Sequence, residues 1–137
     1  MSEERLVTFE QSGPITVGAI HAASVLDAIN VSQFGEEVLD YVEHHSGVNL
    51  LLDFQRVNYL SSAVLTELIK IDHACKGVGG TLRLCSLNRD IRNIFEITNL
   101  DKHFIIYESV AVGIKRHIRS LDVQAEEDGW GQVGRDT

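Results

Sequence analysis

The chain has 137 residues, 44% of them hydrophobic and only one a proline, enough for a single well-filled core and too few for a second domain. Its formal charge of −8 at pH 7 and pI near 5.1 argue against nonspecific binding to nucleic acid or an anionic membrane, which demands a cationic surface. A protein or small-molecule partner suits this balance better.

The N-terminus, Met1-Ser2-Glu3-Glu4-Arg5, is acidic where a signal peptide needs a positive start and an apolar core, so a cytoplasmic location is expected. No apolar run approaches the roughly 20 residues of a bilayer-spanning helix. Leu6-Val7-Thr8-Phe9 and Ile15 to Ile20 favour strands, and Ser12-Gly13-Pro14 between them predicts a hairpin. A short third strand is expected near Ala23-Ser24-Val25. Asn30, with Gln33 three residues on, has the form of an N-cap. Val31, Phe34, Val38, Tyr41, Val42 and His45 follow at helical spacing, and this helix should end near Gly47.

Val48 to Phe54 lacks polar alternation until Asp53, the pattern of a central strand buried on both faces of a mainly parallel sheet. It leads to Ser61-Ser62, then to a second helix with Val64, Leu65, Leu68, Ile69, Ile71, Cys75 and Val78 as its apolar stripe and Gly77, Gly79 and Gly80 at its end. Thr81 to Ser86 alternates as a strand. Asn88 opens a third helix with Ile91, Ile94, Phe95 and Thr98 on one side, and His103 to Tyr107 reads as the next strand. Ser109 can cap a last helix that turns Val110, Ile114, His117, Ile118 and Leu121 inward. The expected fold is therefore α/β: one domain over 1–121, with a mixed, mostly parallel sheet of about five strands and about four helices.

Beyond Leu121 the periodicity stops. Residues 122–137 hold five acids against one base, half of the formal charge, and are expected to form an acidic, disordered tail carrying Trp130.

Ser62 stands between a strand and a helix, as the nucleophile of a hydrolase elbow does. That elbow needs glycine two residues before and after the serine, and Leu60 and Val64 occupy those places. The six histidines include no His-Glu-x-x-His, and Cys75 and Cys85 match no zinc spacing, so no metal or cofactor is expected. The two cysteines read as buried free thiols in a reducing compartment. Gly77-Val78-Gly79-Gly80 ends a helix and enters a strand, the reverse of the order that presents phosphate to a helix start. The serine pair remains: a helix cap, or a hydroxyl placed where a helix N-terminus can receive a phosphate.

Asp53-Phe54-Gln55, Val57, Tyr59-Leu60, Ser61-Ser62-Ala63-Val64-Leu65, Gly79-Gly80, Leu82, Leu84 and Ile94-Phe95-Glu96-Ile97-Thr98-Asn99-Leu100 keep the register of a known pattern without a gap. The chain resembles the STAS domain of bacterial anti-sigma factor antagonists over roughly residues 5 to 120. Upstream, Leu26-Asp27 and the helix-opening Asn30 match the family's Gly-x-Leu-Asp segment, with Ser24 where glycine is usual.

The resemblance implies a partner-switching protein with no catalysis of its own. Ser62 would be phosphorylated by an anti-sigma factor serine/threonine kinase, which binds the unmodified form. Asp27, Asn30, Tyr59, Ser61, Ala63 and Val64 would line the partner surface. Two positions depart from the family pattern. Ser61 replaces an aspartate and leaves the acceptor without a neighbouring negative charge, and Val64 replaces a glycine and adds bulk where the partner would approach. A structural STAS module in a signalling assembly, or one binding a small ligand, is the alternative.

Overall fold

A computed structural model of the protein describes residues 5–21 and 25–122. Strands β1 (Val7–Ser12) and β2 (Ile15–Ile20) pair antiparallel, with Ser12 opposite Ile15. The hairpin therefore turns on Gly13 and Pro14 alone. Gly13 has φ +60, and Pro14 is confined to negative φ, so only the first central residue is left-handed, as in a type II′ turn. Ser12, expected in the turn, belongs to the strand.

After β2 come β3 (Val25–Leu26) and helix α1 (Val31–Glu43). Ala23 and Ser24, expected to begin the third strand, lie outside the described residues. Strand β4 (Asn49–Asp53) enters the middle of the sheet, between β2 and β6 (Thr81–Cys85), parallel to both. Between β4 and β6 lie a two-residue strand, β5 (Tyr59–Leu60), and helix α2 (Ser62–Gly77). Helix α3 (Arg89–Ile97), a 3₁₀ turn (Leu100–Lys102), β7 (Ile106–Tyr107) and α4 (110–122 among the described residues) follow. The main sheet runs β1-β2-β4-β6-β7, and β3 and β5 form a separate parallel pair. Among the described residues, the mixed five-stranded sheet with four helices is the architecture expected from the sequence.

The apolar run of β4 is explained by helices on both faces of the sheet. Leu50 and Leu52 join Phe34, Val38, Leu68, Ile71 and Phe95 in the core under α1, α2 and α3. Leu51 points the other way and packs with Ile15, Cys85 and Tyr107 beneath α4. Here α4 lies so close that a methyl group on Gly113 would stand 2.9 Å from the Leu51 side chain. The buried cysteines are free thiols, and burial pushes each up to about 12.

Three local expectations are corrected. His45, placed on the inward stripe of α1, is exposed beyond the helix end and stacks on Tyr41 with ring centroids 3.7 Å apart. Of the strand expected over His103–Tyr107, only Ile106 and Tyr107 pair with β6. Asn99 adopts a left-handed φ of 63, and the N–H groups of His103 and Phe104 donate to the Leu100 carbonyl, so the backbone of the first two residues is committed to a turn. Thr98, expected on the inner side of α3, is exposed, and its hydroxyl donates back to the Ile94 carbonyl at 2.8 Å.

Candidate functional site

The serine pair is delivered by β5. Leu60 pairs with Leu26, and the Ser61 N–H donates to the Leu26 carbonyl at 2.9 Å, extending the short β3–β5 ladder by one bond. Leu60 is buried as an anchor, Ser61 sits at the N-cap of α2 with extended backbone (φ −94, ψ 169), and Ser62 is the first helical residue. The same ladder brings the Asp27–Asn30 turn alongside the serines, uniting positions more than 30 apart in the sequence.

That turn is tied internally. The Asp27 carboxylate accepts the Ile29 N–H at 2.9 Å, and the Asn30 carboxamide oxygen accepts the Asp27 N–H at 2.9 Å. Asn30 thus holds the N-cap position of α1, but the oxygen expected to cap the helix is turned back to the preceding turn. A bond of this kind to neighbouring backbone competes with capping for the same side-chain oxygen.

Ser62 is exposed and Ala63 is half-buried; Tyr59, one turn of chain earlier, is 53% exposed. Val64 is different. Expected at the partner surface, it is completely buried in the core beneath α1 and α2, so its extra bulk faces inward and offers a partner no side-chain contact. The feature that the sequence reading missed is Ile29, 90% exposed at the tip of the Asp27–Asn30 turn. A single apolar residue between turn-formers was its only signal, and one such residue is common on any surface.

Neither serine caps α2. Ser61 makes no side-chain cap bond; its backbone carbonyl, rather than its hydroxyl, accepts the Val64 N–H at 3.0 Å. The Ser61 hydroxyl oxygen is shielded from solvent and has no hydrogen-bond partner among the described residues. No acidic residue lies in the first turn of the helix. The first turn of α2 thus supplies no acid of its own beside the exposed Ser62, an arrangement suited to an added anionic group.

Among the described residues, no three His, Cys, Asp or Glu side chains are grouped so that they could hold a metal ion. No helix among the described residues is long and apolar enough to cross a membrane.

Comparison with known proteins agrees with the fold. An anti-sigma-factor antagonist (STAS) domain protein from Planctomyces limnophilus superposes with a TM-score of 0.76 at 18% identity, over 82% of this chain and 97% of that one. The anti-sigma factor antagonist SpoIIAA in its unphosphorylated form gives 0.60 at 13% identity, over 82% and 97%. The murine anion transporter Slc26a9 contains the same fold within a larger protein, with a TM-score of 0.68 at 12% identity, over 80% of this chain and 18% of the transporter. The family model of the STAS domain matches residues 7–113, which include both strands of the β3–β5 ladder, the serine pair and all of α2, and the chain belongs to that family.

Proposed function

We propose that the protein is an anti-sigma factor antagonist that works by partner switching: unmodified, it binds an anti-sigma factor serine/threonine kinase, and phosphorylation of Ser62 releases it. The observation that carries this reading is the exposed Ser62 hydroxyl at the first position of α2, in register with the family's acceptor. In the reaction the Ser62 Oγ attacks the γ-phosphorus of ATP held by the kinase. The new O–P bond forms as the bond to ADP breaks, and the hydroxyl proton passes to a base on the kinase.

Asp27, Asn30, Tyr59, Ser61 and Ala63 surround the acceptor in this reading and form the surface that the partner reads. Ile29 adds an apolar contact beside them. A phosphoserine carries about −1.5 to −2 charges at neutral pH, and trapping it unpaired in an interface costs several kcal/mol. Every 1.4 kcal/mol weakens affinity about tenfold, so local charge is sufficient to break the complex without a change of fold. A bacterial cytoplasmic setting follows from this role.

A second reading, a STAS module that assembles or binds a ligand without being phosphorylated, draws support from the same fold in an anion transporter and from Ser61 in place of the family's aspartate. Incubation with candidate kinases and ATP, followed by intact mass, separates the two. Partner switching requires one added phosphate on the wild type, mapped to Ser62 and lost in Ser62→Ala. An unmodified wild type across the whole set of anti-sigma kinases of the source cell favours the second.

A further inference from the structure

We propose that Ser61 is the donor that receives the phosphate on Ser62, so that the replacement of the family's aspartate stabilises the modified state of this chain. The inference rests on the reading of Ser62 as the acceptor. A serine at an N-cap normally accepts the N–H of the second or third helical residue through its hydroxyl. Here the Ser61 carbonyl has taken the Val64 N–H, and the hydroxyl is left shielded and unpartnered among the described residues. A polar group in that condition gains when an acceptor arrives.

The acceptor is one residue away. A phosphate on Ser62 brings three strong acceptor oxygens to the mouth of a helix of 16 residues with no acid in its first turn. Rotation about the Cα–Cβ bond of Ser61 carries an N-cap hydroxyl to that mouth, where it donates a charge-assisted hydrogen bond. An aspartate at position 61 can only accept when ionised, and it opposes the phosphate by charge. Serine thus replaces a repulsion with a bond. The modified form of this protein should favour the phosphate dianion and release it to phosphatase more slowly than its Ser61→Asp variant.

Phosphoserine installed at position 62 during synthesis tests this without any kinase. The second ionisation of the phosphate, followed by ³¹P NMR against pH, should lie about 0.5 unit lower in the wild type than in Ser61→Ala, because a donor favours the dianion. Ser61→Thr, which keeps the hydroxyl, should restore the low midpoint, and Ser61→Asp should raise it above Ser61→Ala. Coincident titrations of wild type and Ser61→Ala would overturn the proposal. So would a Ser61→Ala change that raises Tm equally in modified and unmodified protein, since the orphan hydroxyl would then be a packing defect alone. Failure of kinases to modify Ser62 would count against partner switching and leave this measurement unaffected.

Discussion

His117 shows how much a single residue of α4 is asked to do. It is fully buried against the sheet, where its Nε2 lies 2.9 Å from the Thr81 hydroxyl. That hydroxyl donates to Asn49 at 3.0 Å, so toward the imidazole it can only accept. The proton therefore sits on Nε2, and the bare Nδ1 has no partner among the described residues. Burial, helped by the nearby Arg83 guanidinium, pushes His117 down to about 4. Arg83 itself donates to the Tyr107 hydroxyl at 2.7 Å and cannot accept a proton from the ring. Because the folded value lies below the ordinary 6.5, the unfolded chain binds more protons between these limits. Stability is fully present above about pH 6.5 and falls as the pH drops toward 4. Urea unfolding at pH 7 and pH 4.5 should show wild type losing on the order of 2 to 3 kcal/mol more than His117→Leu. Equal losses would refute it. The two thiols make a related prediction. With both pushed up to about 12 by burial, neither is a thiolate at pH 8, and disulfide-exchange labelling of native protein should be at least about 100-fold slower than in urea.

Among the elements, β1 depends on a helix for its start. The Glu37 carboxylate on α1 accepts the Val7 N–H at 2.9 Å and the Leu6 N–H at 3.0 and 3.1 Å, while Gln33 donates to it at 2.8 Å. Glu37→Ala leaves these backbone donors without their acceptor and should cost about 2 kcal/mol in urea unfolding. Amide exchange should quicken first in β1, since the anchor is local to that edge strand. At the other end of the site, Asn88 caps α3 by accepting the Ile91 N–H at 2.8 Å and holds the Asn58 carbonyl at 3.0 Å. Asn88→Ala should cost about 1 kcal/mol, and it should raise exchange in the loop before β5 more than a loss of the cap alone would. The long elements were legible because an apolar stripe at period 3.6 or an unbroken apolar run survives context. A short strand was expected near Val25, but β5 and its pairing with β3 were hidden for the opposite reason: two residues per strand carry no period, and each is held by pairing with the other. The same limit explains His103–Tyr107. Its residues favour strands, but the turn at Asn99 and the bonds to Leu100 outweigh that preference.

At the scale of the whole molecule, the partner switching proposed above turns on one surface, formed where β5 enters α2 and the Asp27 turn lies beside it. Ser62→Asp, which adds charge at the exposed position, should weaken binding to the anti-sigma kinase at least about tenfold, and Ser62→Ala should bind as wild type while resisting release by ATP. Titration calorimetry with the kinase recovered by pull-down from the source cell measures both. Equal affinity of wild type and Ser62→Asp would remove charge as the switch. Because the chain carries −8 overall, association with the kinase should slow with added salt if the partner surface is basic, and rates at two salt concentrations would show it.

From the sequence by itself came the α/β class, the central position of β4, the four helices and the resemblance to the STAS domain, on which the proposal of Ser62 rather than Ser61 rests. Each rests on periodicity or motif spacing, properties written along the chain. Tertiary structure alone decided which of the neighbouring residues share a surface with Ser62. Val64 looked like added bulk toward a partner and is completely buried, whereas Ile29 carried almost no signal and is 90% exposed. It also decided that the serine pair does not cap its helix: the Ser61 hydroxyl has no partner among the described residues, since pairing with Leu26 sets its backbone and the Ser61 carbonyl takes the bond that a cap would have made. Burial and hydrogen-bond partnership depend on segments distant in sequence, so they are fixed only when β3, β5 and α2 come together.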